Sequence, residues 1–151
     1  MTVAIALLAA SAPALAENRP LKCYTGRARS APAGSGPALV ANVPRSLTPI
    51  ELSTVLFTDK KLGKSVIVEE LAARRTEVNG LNVVARFVNC TKKPITIQAR
   101  ANFLDAMQLP TEASSAWRTI FISPLATAVY QENSIATTKV AAFFVELRPN
   151  L

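Results

Sequence analysis

The stretch Leu81 to Ala106, LNVVARFVNCTKKPITIQARANFLDA, decides how this chain is read. Leu81, Val83, Ala85 and Phe87 alternate with Asn82, Val84, Arg86 and Val88. After a break, Ile95, Ile97, Ala99, Ala101 and Phe103 alternate with Thr96, Gln98, Arg100 and Asn102. Successive side chains of a strand point to opposite faces, so a period of two gives each run one apolar face for a core. Thr91-Lys92-Lys93-Pro94 separates the runs, and Pro94, with no N–H for a ladder, suits the first position of a strand. The expected arrangement is one long hairpin of half-buried antiparallel strands.

The same rhythm extends outward. Glu51–Asp59 reads as a strand, Lys60–Lys64 as a turn in which Gly63 can take a positive φ, and Ser65–Glu69 as a short strand. Leu71–Val78 reads as a strand rather than a helical turn, because Val78-Asn79-Gly80 is a hairpin turn leading into Leu81. Ala116–Ile122, Leu125–Gln131 and Lys139–Arg148 complete the series. The last of these carries Phe143, Val145 and Leu147 on one face and Phe144 on the other. Seven or eight short strands with regular turns make an all-β antiparallel sandwich. Trp117, the one tryptophan, is expected as a core plug of that sandwich rather than as a surface anchor for a partner.

The sandwich occupies residues 47–151 of a 151-residue chain, which is one domain. Residues 1–16 read as a secretory signal peptide: Val3 to Ala10 is an apolar run, and Ala14-Leu15-Ala16 is a small-x-small cleavage site. The run is far shorter than the roughly 20 residues a membrane-spanning helix needs. Pro20-Leu21-Lys22 before Cys23 is unlike a lipobox, so the mature protein is expected to be soluble, periplasmic or secreted, and not lipid-anchored. Residues 17–46, rich in Ala, Gly, Pro and Ser from Ala28 onward, read as a basic flexible arm. Arg19, Lys22, Arg27, Arg29 and Arg45 against Glu17 give this arm +4 of the chain's net +7.

Two cysteines, Cys23 and Cys90, allow a single intramolecular pairing, and export favours their oxidation. A Cys23–Cys90 disulfide is therefore expected, tying the arm to the Asn89–Pro94 turn.

Chemistry is sparse. The chain has no histidine, which removes the usual general base near neutral pH and the commonest transition-metal ligand. There is no Cys-x-x-Cys pair and no phosphate-cradling glycine loop, so neither a metal nor a cofactor is expected. Ser65 beside Lys64 and Ser123 before Pro124 sit in no catalytic motif. Asp105 and Glu112 lie in one polar loop and read as solvated carboxylates rather than an acid–base pair. Asn89-Cys90-Thr91 matches a glycosylation sequon, against which a disulfide at the middle position argues. No catalytic residue is assigned, and the chain is expected not to be an enzyme.

The strand ending Val88-Asn89 with its polar turn, the return strand ending Phe103-Leu104-Asp105, the strand led by Trp117 and the last strand closing on Arg148 resemble the YcfL-like family of small bacterial envelope proteins. The resemblance covers about residues 47–148. It implies an immunoglobulin-like β-sandwich exported to the envelope of a Gram-negative bacterium. Members of that family are typically lipoproteins, and this chain departs in lacking a lipobox and in carrying Cys90. The expected function is a non-enzymatic envelope adaptor that docks on envelope proteins through the sandwich and the arm. The alternative is a binding module for lipopolysaccharide or acidic lipid headgroups, with Arg19, Lys22, Arg27, Arg29, Lys92 and Lys93 as the interacting cations. Nucleic acid is disfavoured, because no aromatics interleave the basic residues.

Overall fold

A computed structural model of the chain describes residues 23, 38–39, 43–136 and 140–150. Among these residues nine strands follow in order: β1 (Ala38–Leu39), β2 (Thr48–Pro49), β3 (Val55–Phe57), β4 (Val66–Arg75), β5 (Leu81–Asn89), β6 (Ile95–Leu104), β7 (Arg118–Ile122), β8 (Thr127–Asn133) and β9 (Ala142–Pro149). They form a four-stranded sheet, β2-β4-β5-β8, and a five-stranded sheet in which β9 lies between β6 and the pair β1 and β3, with β7 at the far edge. The protein is a β-sandwich.

The stretch that opened the reading folds differently from a hairpin. β5 pairs with β4 and β8, whereas β6 pairs with β7 and β9. The two strands belong to opposite sheets, and residues 90–94 form a corner between them. Two amphipathic strands joined by a short polar link satisfy either geometry. Here each apolar face turns toward the other across the core. Leu81, Val83, Ala85 and Phe87 from one sheet and Ile97, Ala99, Ala101 and Phe103 from the other are completely or almost completely buried. Phe143, Val145 and Leu147 of β9 join them. Burying each large apolar side chain contributes roughly 1.5–3 kcal/mol relative to leaving it exposed.

The true hairpin is β4–β5. Asn79, at φ 62°, takes the left-handed position of its turn, and the Thr76 N–H reaches the Gly80 carbonyl at 2.9 Å. β4 joins the two runs expected as separate strands into one of ten residues, with a bulge between Val68 and Glu70. The strand expected over Glu51–Asp59 shrinks to β3, because Leu52–Thr54 winds into a 3-10 turn. Leu62–Lys64 winds likewise, so Gly63 sits in a right-handed turn and its expected positive φ is not used. β3 runs parallel to β9, the exception among the antiparallel pairings. Ala38–Leu39, inside the segment expected as an arm, pairs with Phe143 and Ala142.

The links gather at two ends. Residues 90–94 and 123–126 lie at one, with the disulfide. Residues 76–80, 105–117, 134–136 and 140–141 lie at the other.

Candidate functional site

The outer face of the five-stranded sheet carries the most distinctive arrangement. Gln98, Arg100 and Asn102 of β6 face outward, opposite Arg148, Glu146 and Phe144 of β9 in register. Arg148 donates through Nε to Gln98 Oε1 at 2.8 Å. Glu146 Oε2 accepts from Arg100 Nε in an ion pair and from Asn102 Nδ2 at 2.9 Å. Gln98 in turn donates to Thr119 Oγ1 at 3.3 Å, so the ladder crosses from β9 over β6 to β7.

Trp117 lies on this ladder. The guanidinium carbon of Arg100 is 4.5 Å from the ring centroid and that of Arg148 is 4.0 Å from it. Both distances are within the range of cation–π attraction. The expectation of a core plug is thus corrected: Trp117 is half-buried on the outer face. Strand parity explains it. Ile120 and Ile122 of β7 pack on or in the core, which turns Thr119 and Phe121 outward, and Trp117 shares their parity. Phe121 stands 63% exposed on the same face.

Two guanidinium groups beside one ring repel, and Glu146 offsets that repulsion. Partial burial pushes the Glu146 carboxyl up, but hydrogen bonds from Arg100 and Asn102 and the charges of Arg100 and Arg148 outweigh burial and hold it below the usual carboxylate range. A depressed folded-state pKa contributes stability that is complete above the ordinary carboxylate pKa and disappears as pH falls through the depressed value. Glu146 is therefore ionised at neutral pH, and among the described residues the face keeps one guanidinium in excess.

Between the sheets, Arg118 at the start of β7 grips Glu132 of β8 through Nε at 3.1 Å and Nη2 at 3.3 Å. That pair closes the side of the sandwich where both edge strands lie. Tyr130 beside it is driven up to about 12, by burial first, so it stays protonated at neutral pH.

The cations singled out in the sequence are distributed differently. Lys92 and Lys93 are exposed on the corner 90–94. Arg19, Lys22, Arg27 and Arg29 lie outside the described residues. Cys23 and Cys90 form the expected disulfide, with Cα atoms 5.7 Å apart, so residue 23 is held at that corner. Asn89, the sequon asparagine, is completely buried. Its Nδ2 donates to carbonyls of Lys93, Ile122 and Ser123, and its Oδ1 accepts the Thr91 N–H. Asn89 is thus the knot joining both corner links, and no glycan acceptor.

Asp105 and Glu112 are structural. Asp105 Oδ1 accepts the N–H groups of Met107 and Leu109, and Glu112 accepts those of Ile135 and Ala136. Glu112 spans 23 residues to Ile135, a partnership with no local signal.

No protein-family model matches the sequence, and no curated protein matches it. Two solved structures resemble the fold. Campylobacter jejuni cj0090 is 14% identical with a TM-score of 0.54, over 64% of this chain and 98% of that one. A DUF1425 family member from Shewanella sp. pv-4 is 15% identical with a TM-score of 0.50, over 57% of this chain and 79% of that one. At such identities the likeness shows a shared β-sandwich.

Proposed function

We propose that this chain is a non-enzymatic adaptor of the bacterial cell envelope, akin to the YcfL-like proteins. It is exported to the periplasm and docks on an envelope protein through the outer face of its five-stranded sheet. The observation that carries the reading is Trp117, half-buried on that face beside Arg100 and Arg148. Tryptophan and arginine dominate the energetics of protein interfaces, and a rigid ring already flanked by ordered guanidinium groups loses little freedom on docking. The Cys23–Cys90 disulfide supports export, since such bonds persist in oxidising compartments.

In-cell photocrosslinking tests it. A photoreactive side chain at position 121 is expected to capture one envelope protein, and Trp117→Ala is expected to abolish the adduct. The same side chain at Val129, exposed on the other sheet, is expected to capture nothing comparable. Equal capture from both positions, or none from 121, would remove the reading.

A second reading, attachment to anionic lipid or lipopolysaccharide, is favoured by Lys92 and Lys93 at the corner where Cys23 is anchored. Charge-driven attachment to a membrane surface weakens steeply with salt and is removed by Lys92→Ala/Lys93→Ala, a substitution that leaves docking through Trp117 intact.

A further inference from the structure

We propose that Arg148, held against Trp117, receives a carboxylate from an acidic segment of a partner protein. This deepens the docking role proposed above and rests on it. An arginine offers five N–H donors in a planar fork. Arg148 spends Nε on Gln98, and its guanidinium carbon sits 4.0 Å from the Trp117 centroid. The stack and that hydrogen bond fix the plane of the fork, while its two Nη nitrogens have no hydrogen-bond partner among the described residues. Glu146, the carboxylate on this face, is engaged by Arg100 and Asn102 and lies beyond ion-pair distance of Arg148. The result is an oriented, half-buried guanidinium beside an aromatic ring, with no ion-pair partner among the described residues. A bidentate carboxylate completes it with two parallel charge-assisted hydrogen bonds.

Charge selects the ligand. Among the described residues the face holds two guanidinium groups and one carboxylate, an excess of one, which a single carboxylate neutralises. A phosphate dianion would bring extra negative charge next to Glu146. Lys92 and Lys93, which an anionic membrane would engage, stand at the corner and not on this ladder. Phe121, exposed on the same face, lies two strands over from Arg148 and two residues along, roughly 12 Å from strand spacings. It supplies an apolar contact beside the charged one. The chain's net charge of +7 favours an acidic partner at longer range.

Trp117 reports directly on the site, being the one tryptophan of the chain. The experiment titrates the oxidised mature protein with a blocked peptide of alternating Glu and Leu and follows tryptophan emission. The control peptide carries Gln in place of Glu, and vesicles of phosphatidylglycerol and inorganic phosphate are run in parallel. The expected result is a saturable change with the Glu peptide and at least tenfold weaker binding of the Gln peptide. Arg148→Lys, which keeps the charge and removes the fork, is expected to weaken the Glu peptide about tenfold. Lys92→Ala is expected to change nothing. Equal binding of both peptides, no binding of either, indifference to Arg148→Lys, or tighter binding of vesicles or phosphate would overturn the proposal. Crosslinking from position 121 without carboxylate selectivity would leave the adaptor role standing and remove the carboxylate. Selectivity without crosslinking would do the reverse.

Discussion

The two ends of the sandwich are fastened by opposite means. At the corner end, the links 90–94 and 123–126 converge on Asn89, which is 0% exposed, and a disulfide closes the same place. Every polar atom of the Asn89 side chain is matched inside the protein. At the other end the fasteners are Glu112, Asp105 and Ser134, and water reaches them. The apolar tips there, Val78, Met107 and Ile135, stand out into solvent. A polar group sealed from water has no substitute partner when its bond is cut, whereas one near water does. The corner should therefore be rigid and costly to alter, and the loop end tolerant.

Breaking the disulfide tests the corner most severely. The bond closes a loop of 67 residues, and chain-entropy reasoning gives about 4 kcal/mol for its loss. Denaturant unfolding of Cys23→Ser/Cys90→Ser against the oxidised parent measures it. Asn89→Ala comes next, at about 3 kcal/mol, because it strands the Ile122 carbonyl in the interior and takes the acceptor from the Thr91 N–H. Glu112→Ala at the loop end should cost about 1 kcal/mol, since water replaces the carboxylate at Ile135 and Ala136. If Glu112→Ala costs as much as Asn89→Ala in the same melts, the contrast between the ends collapses. Thr76→Val has the smallest effect and sharpens the contrast. The Thr76 hydroxyl is buried at the loop end without a hydrogen-bond partner among the described residues, so its replacement by a methyl should raise stability by about 0.5 kcal/mol.

What was legible in the sequence was local. Alternation in Leu81–Val88 and Ile95–Phe103 identified which side chains enter the core, and those positions are buried, Ile95 partly. Asn79-Gly80 identified the β4–β5 turn, since it is one of the few pairs that accept a left-handed backbone. What escaped was partner choice. Nothing within Leu81–Ala106 distinguishes a hairpin from a corner, because the decision lies with β8 and β9, which compete for the same edges. Trp117 escaped for a related reason. Its size suggested a core, but its parity with Thr119 and Phe121 placed it outside, where Arg100 and Arg148 receive it. That signal was present in the Ile120/Ile122 alternation. The bonds of Glu112 and Asn89 link distant segments and have no counterpart in spacing.

The placement of β9 has a consequence for how this chain comes into being. The last strand in sequence lies inside the five-stranded sheet, between β6 on one side and β1 and β3 on the other. A chain that is synthesised from its N-terminus can close the β4–β5 hairpin and dock β8 on it while still incomplete. The opposite layer has no middle until residues 142–149 have emerged. Until then Ile97, Ala99, Ala101 and Phe103 lack the strand that flanks them, and β6 presents a bare edge. Assembly of the second layer is thus withheld until β9 is available, and the edge of β6 depends on being shielded until then.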